Sequence, residues 1–287
     1  MEIERVGVVG CGLMGSGIAE ICGRAGLDVV VREVNQEMLD VGRRRVEASL
    51  DRAVRAAKLD PAERERVMDG LRFTTDLGDL ADRQLTIEAV VESEPLKLKV
   101  FAELDKVLDD DAAILASNTS SIPIMKLAMA TGRPESVVGI HFFNPVPVLK
   151  LVELVTSLLT SPGTAERAQG FAEKTLGKHV IRSQDRAGFI VNALLIPYLL
   201  SAVRMLESGF ATAQDIDRGM MEGCAHPMGP LALADLIGLD TTMAVAESLY
   251  EEFKEPLYAA PPLLSRMVEA GLLGRKTGRG FYDYGKK

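Results

Sequence analysis

One stretch near the N-terminus narrows the fold more than any other: residues 5–20, RVGVVGCGLMGSGIAE. A short apolar run at 5–10 reads as a buried strand, and a helical pattern over 13–25 follows it. Between them lies Gly10-x-Gly12-x-x-Gly15. Gly10 permits a tight turn, Gly12 lets backbone amides approach a pyrophosphate, and Gly15 permits close packing of helix on strand. The helix N-terminus supplies unpaired N–H groups and the positive end of its dipole. A second strand at 28–33 ends on Glu33, 23 residues beyond Gly10, where a carboxylate can accept hydrogen bonds from an adenosine ribose diol. Strand, glycine turn, helix, strand and acid together predict a dinucleotide-binding unit of Rossmann type. A carboxylate at that point repels a 2′-phosphate and favours NAD. Arg32 beside it is the argument for NADP, but strand alternation turns Arg32 and Glu33 to opposite faces, so NAD is the preferred reading.

The alternation continues along the chain. Strands are predicted at 71–74, 85–90, 112–117, 136–143, 149–156 and 178–182. Helices are predicted at 35–58, from Pro61, and at 94–107, 122–131 and 163–176. The strands are apolar throughout rather than at every second residue. That is the pattern of an α/β fold with a mostly parallel sheet and helices on both faces. After SQDRAGF (183–189) the sequence becomes helical, with helices expected at 189–208, 213–222, 231–253 and 261–271. The expected organisation is a Rossmann-type domain over 1–187 and an all-helical domain over 188–287 that closes on substrate. Its long apolar segment FIVNALLIPYLLSAV (189–203) predicts a homodimer through this domain, and the tail GRKTGRGFYDYGKK is expected to fold back on it.

Composition sets limits on partners. A net charge of −8 argues against nucleic acid and anionic membranes, so an anionic ligand requires a local basic patch. Along helix 35–58, Arg45, Arg52, Arg55 and Lys58 recur at spacings of 7, 3 and 3 and form such a stripe. Cysteines 11, 22 and 224 have neither metal-ligand spacing nor an even count, which predicts no metal and no disulfide framework. No apolar run reaches the roughly 18 residues of a membrane span. Glu2, Glu4 and Arg5 leave no signal-peptide pattern, and a cytoplasmic location is expected.

The chain has three histidines, and one stands out. VGIHFFN (138–144) places His141 near the end of an apolar strand, followed by Pro145 and Pro147 in a turn and by LVELVT (151–156) with one carboxylate, Glu153. If the two strands pair antiparallel about Pro147, residues 141 and 153 are equidistant from the bend and face the same side, with Cβ atoms about 4.5–5.5 Å apart. A Glu153–His141 hydrogen bond fixes the tautomer, so that the other ring nitrogen is the proton acceptor for an alcohol losing hydride from its carbon. The bland alternative is a buried pair that merely holds a hairpin. His179, at a strand start, is expected to be exposed, and His226, before a proline, to be structural.

At full length the chain resembles the 3-hydroxyacyl-CoA dehydrogenase family, specifically the short bacterial 3-hydroxybutyryl-CoA dehydrogenases. The resemblance rests on GVVGCGLMGSGIA, IEAVVESEPLKLKVFAELD, ASNTSSIPI, HFFNPVPV, LVELV, GFIVNALLIPYL, HPMGPLALADLIGLD and KTGRGFYDY. It implies interconversion of a short-chain (S)-3-hydroxyacyl-CoA and its 3-oxoacyl-CoA, in fatty-acid β-oxidation or butanoate metabolism, with NAD and an acyl-CoA as the partners. It further implies that His141 is the general base and Glu153 orients it. Ser120 and Asn192 hydrogen-bond the substrate's 3-oxygen. Gly10, Gly12, Leu13, Met14, Gly15, Glu33, Glu92, Lys97, Ser120, Asn144 and Lys276 hold the cofactor, and Ser49, Arg52 and Lys58 the CoA. The family's ribose-binding aspartate is Glu33 here, its Pro-Gly-Phe is Ala187-Gly188-Phe189, its Asn-Arg is Asn192-Ala193, and a lysine it uses near the CoA nucleotide aligns with Ala56. Two alternatives stand beside this: a dehydrogenase of the same fold acting on a free hydroxy acid or sugar acid, and a non-catalytic nucleotide-binding relative.

Overall fold

Eight strands of the first unit form a single sheet: Arg5–Val9 (β1), Asp28–Arg32 (β2), Leu71–Thr74 (β3), Leu85–Glu88 (β4), Ile114–Ser117 (β5), Val137–Phe142 (β6), Leu151–Thr156 (β7) and His179–Gln184 (β8). Their order is β3-β2-β1-β4-β5-β6-β7-β8 in this computed structural model, which describes residues 2–285. The first six strands run parallel, β7 runs antiparallel to β6, and β8 follows β7. Residues of β4, β5 and β6 are buried without exception, as expected for strands covered on both faces. The order reverses direction at β1. Right-handed crossovers then put the helices following β1 and β2 on one face and those following β4 and β5 on the other, and open a crevice at the carboxyl ends of β1 and β4.

Six helices accompany the sheet: Leu13–Arg24 (α1), Gln36–Arg55 (α2), Pro61–Asp69 (α3), Glu94–Val107 (α4), Ile124–Ala128 (α5) and Pro162–Gly170 (α6). The Asn35 side chain caps α2 by accepting from Met38 N at 2.9 Å, and Asp60 caps α3, which has proline in its first turn. The helix expected to run to Lys58 ends at Arg55, because the chain leaves helical space with Ala57 at φ 52°. Lys58 therefore falls off the stripe formed by Arg45 and Arg52. The helix expected over 163–176 is α-helical only to Gly170 and continues as a π-turn over Phe171–Thr175.

The second unit, from Ala187 on, is helical: Val191–Glu207 (α7), Ala213–Gly223 (α8), Pro230–Ile237 (α9), Leu239–Phe253 (α10) and Pro262–Glu269 (α11). The single helix expected over 231–253 is two, broken where Gly238 adopts φ 104°. Leu199, Leu200, Leu231, Leu239, Leu249 and Leu264 make its core. The tail is bolted to α9 through Asp235, whose carboxylate accepts from Phe281 N, Tyr282 N and the Tyr284 hydroxyl at 2.9–3.0 Å. Tyr282 in turn donates its hydroxyl to Asp217 at 2.8 Å. The tail's last two residues, 286 and 287, lie outside the described residues. Among the described residues, no helix is long and apolar enough to cross a membrane.

Candidate active site

The glycine turn is built as its spacing demands. Gly10 sits at φ 92° and donates its N–H to Arg32 O at 2.9 Å, tying the turn to β2. A Cβ on Gly15 would lie 1.7 Å from Gly10 O, so α1 packs on the turn as only glycine allows. A Cβ on Gly12 would meet nothing within 4 Å, and the space beside it is open to a ligand's pyrophosphate. Glu33 accepts from Cys11 N at 2.5 Å and from Val34 N at 3.0 Å, so its carboxylate stands at the turn itself. Leu13 on the first turn of α1, Val34 after β2 and Val91 after β4 are 64%, 65% and 70% exposed. Apolar side chains thus line the carboxyl edge where a planar base and a nicotinamide ring need cover. Met14 is half-buried against the core. Burial, with Glu33 adding to it, pushes the Cys11 thiol up to about 12, which keeps it protonated and out of the chemistry. The residues present fit a dinucleotide.

Three strands along, His141 stands on β6 directly opposite Glu153 on β7. The Nδ1 to Oε2 distance is 2.7 Å, with His141 6% exposed and Glu153 fully buried. Phe143 tilts against the imidazole at 4.6 Å between ring centroids, and Phe142 N donates to Asn118 Oδ1 at 2.9 Å, which ties the end of β6 to the loop after β5. With the carboxylate on Nδ1, that nitrogen carries the proton and Nε2 is the basic position. The hairpin geometry was readable from distances to Pro147; the anchoring by Asn118 was not.

A second constellation fills the space behind the β4 and β5 ends. Glu92 Oε1 accepts from the Thr119 hydroxyl at 2.5 Å, from Ser120 N at 2.9 Å and from the Ser121 hydroxyl at 2.9 Å, so one carboxylate oxygen shapes the whole 119–121 loop. Lys97, 1% exposed, bonds both oxygens of Glu88 at 2.7 and 3.0 Å and lies 3.2 Å from Glu92 Oε2. Burial raises the Glu92 carboxyl, but Lys97 and the hydrogen bonds from Thr119, Ser120 and Ser121 outweigh it and hold the group below its ordinary value. Glu88 escaped the sequence reading. Its only signal was a lone acid in the apolar run TIEAVV.

A cavity of about 530 Å³ opens between α1, α2 and the 144–147 turn, and Arg44, Arg45, Ser49, Arg52 and Asn144 are among its lining residues. Arg45 and Arg52 of the predicted stripe are present there, with Ser49 between them; Arg55 and Lys58 are not among the lining. The turn itself is clamped from below. The buried ammonium of Lys178 donates to Val146 O at 2.6 Å and to Leu149 O at 2.7 Å, and burial draws its pKa below the usual lysine range. No sequence pattern pointed to that residue. Asn192 and Lys276 belong to the second unit, where Asn192 lies half-buried in the first turn of α7. Lys276 pairs with both oxygens of Asp240, at 2.5 and 2.6 Å, at the start of α10. His179 is exposed, and His226 accepts or donates a 3.1 Å bond with the Tyr198 hydroxyl on α7.

A sheet whose carboxyl edge gathers the glycine turn and its acid defines a dinucleotide-binding protein of Rossmann type. The comparisons narrow the class. Residues 5–186 match the NAD binding domain of 3-hydroxyacyl-CoA dehydrogenase, and residues 188–284 match its C-terminal domain. A 3-hydroxybutyryl-CoA dehydrogenase of Mycobacterium tuberculosis is 60% identical over 282 residues, 98% of this chain and 99% of the relative. The mitochondrial hydroxyacyl-coenzyme A dehydrogenase of Sus scrofa is 39% identical, covering 98% of this chain and 91% of the relative. The crystal structure of (S)-3-hydroxybutyryl-CoA dehydrogenase from Ralstonia eutropha is 44% identical and superposes with a TM-score of 0.94, covering 99% of this chain and 100% of that one. The chain belongs to the 3-hydroxyacyl-CoA dehydrogenase family, and its cofactor is NAD.

Proposed function

We propose that this protein interconverts (S)-3-hydroxybutyryl-CoA and acetoacetyl-CoA, with His141 as general base and acid. The observation that carries the proposal is the buried 2.7 Å His141–Glu153 pair at the carboxyl edge of the sheet. In the oxidative direction His141 Nε2 takes the proton of the 3-hydroxyl. Glu153, holding Nδ1–H, steadies the imidazolium that forms. The hydride leaving C3 would need an acceptor, which NAD⁺ would supply when bound. Ser120, shaped into place by Glu92, donates to the oxygen on which charge develops. Arg44, Arg45 and Arg52 along the cavity meet the phosphates of the CoA carrier. That basic lining favours a phosphorylated carrier over a free hydroxy acid.

The test is steady-state formation of NADH from 3-hydroxybutyryl-CoA beside free 3-hydroxybutyrate, with NAD⁺ and NADP⁺ in parallel. Turnover confined to the thioester with NAD⁺ supports the reading, and preference for the free acid overturns it. The second unit further supports a homodimer. Leu194 and Phe210 are 72% and 78% exposed, and an apolar cavity of about 510 Å³ is lined by Met205, Phe210 and Met220. A monomer mass by light scattering at micromolar concentration refutes that part.

A further inference from the structure

We propose that Lys178 is a positioning residue of the reaction: by holding the 144–149 turn, its buried ammonium sets one wall of the cavity that takes the CoA carrier. This rests on the function proposed above. The turn has little to hold it from within. Pro145 and Pro147 bring no N–H, and the turn's own backbone bonds run from Val148 N and Leu149 N to a single acceptor, Pro145 O, both at 3.0 Å. The carbonyls of Val146 and Leu149 are met from outside, by Lys178 Nζ at 2.6 and 2.7 Å. The clamp has a firm base. Lys178 N donates to Ala172 O at 2.9 Å, and β8 starts at the next residue.

The clamped turn is also the cavity wall. Asn144, Pro145, Val146 and Pro147 line the 530 Å³ space together with Arg44, Arg45 and Arg52. Val146, 1% exposed, is pressed from the far side by α1, where a Cβ on Gly17 would lie 2.9 Å from Val146 Cβ. Take the ammonium away, and the buried Val146 carbonyl has lost its donor. Its peptide must turn toward water to find another, carrying Val146 and Pro147 with it. The base does not follow, because the β6–β7 pairing that sets His141 against Glu153 runs over Gly139–Phe142 and ends before the turn. Binding of the carrier is therefore expected to suffer while the chemical step is kept.

A clamp that serves only the fold gives a different result. Losing two buried hydrogen bonds then lowers stability and leaves the affinity for the thioester where it was. A second cavity of about 320 Å³, lined by Arg24, Lys150, Thr175 and Lys178 among others, reaches the side chain from outside and lets the missing donor be supplied in solution.

The experiment compares wild type with Lys178→Met and Lys178→Ala. Lys178→Met keeps the length of the side chain and removes its donors. Its KM for 3-hydroxybutyryl-CoA should rise about tenfold, with kcat, and NADH affinity by fluorescence titration, within about threefold of wild type. Lys178→Ala should show the same split. Propylammonium, which replaces the atoms removed, should bring its KM back toward wild type; tetramethylammonium, a cation with no N–H, should not. An unchanged KM with a lowered urea midpoint overturns the proposal. So does a kcat loss beyond tenfold at unchanged KM, and so does rescue by both cations or by neither. If neither variant folds, Gly17→Ala drives Val146 from the opposite side: a raised KM at steady kcat supports the proposal and an unchanged KM overturns it. A wild type that does not turn over 3-hydroxybutyryl-CoA refutes the substrate reading instead. Calorimetric titration with CoA itself then decides the role of Lys178, a Kd about tenfold weaker in Lys178→Met supporting it and an equal Kd overturning it.

Discussion

Glu153→Gln isolates the contribution of the carboxylate behind the base. The amide is nearly the same shape, its position on β7 is fully buried, and the β6–β7 register that sets the 2.7 Å contact depends on backbone pairing. The hairpin is therefore expected to survive, with near-ultraviolet circular dichroism and NADH affinity unchanged. The base is not expected to work. A hydrogen bond to a charged group contributes about 1.5–3 kcal/mol, against about 1 for a neutral one, and the charge on His141 develops only as the proton moves. Losing roughly 1–2 kcal/mol of that difference lowers kcat by about five- to thirtyfold. The tautomer adds a second loss. Glutamine can turn its amide N–H toward Nδ1, which moves the ring proton to Nε2, where the lone pair is needed. Together the two effects give about 10²- to 10⁴-fold, the range seen when an orienting carboxylate is neutralised. NADH formation at saturating thioester and cofactor measures it. His141→Ala should lose at least as much, and the double variant no more than His141→Ala alone, since the catalytic effect of Glu153 passes through the ring. A Glu153→Gln kcat within threefold of wild type, or losses that multiply in the double variant, would refute the reasoning.

Gly12→Ala and Gly15→Ala should separate binding from folding. The first adds a methyl to open space and should leave the thermal midpoint intact while weakening NADH binding by tenfold or more; the second drives a Cβ to 1.7 Å from Gly10 O and should cost about 3 kcal/mol or more in urea unfolding. Arg52→Ala and Arg45→Ala should each raise KM for the acyl-CoA by about tenfold at unchanged kcat, and added salt should raise the wild-type KM more than that of the variants. Glu92 gives a pH signature. Its folded carboxyl lies below the ordinary value of 4.5, so its stabilisation is complete above that pH and is lost as pH falls through the folded value. Urea midpoints of wild type and Glu92→Gln should differ most near neutrality and converge in acid; a gap that widens in acid contradicts the assignment.

The legible features share a physical property: one short segment sets both backbone and side chain. The glycine turn is such a case, since the φ of 92° at Gly10 and the close approach at Gly15 arise within six residues of sequence. The His141–Glu153 pair is another, because two strands joined by a tight turn fix their own register. The end of α2 was not legible, since Ala56, Ala57 and Lys58 are good helix formers and nothing local announces φ 52° at Ala57. Neither was the hub at Glu88, for a different reason. Its partners arrive from α4, nine residues on, and from β5, twenty-nine residues on, and only the strand order β1-β4-β5 brings them together. Yet burial alone implied that such partners exist, because a carboxylate at the end of a strand covered on both faces cannot stay without donors. An acid standing alone in a continuous apolar strand, at the edge where the crevice opens, therefore marks a network even where the sequence cannot name its members.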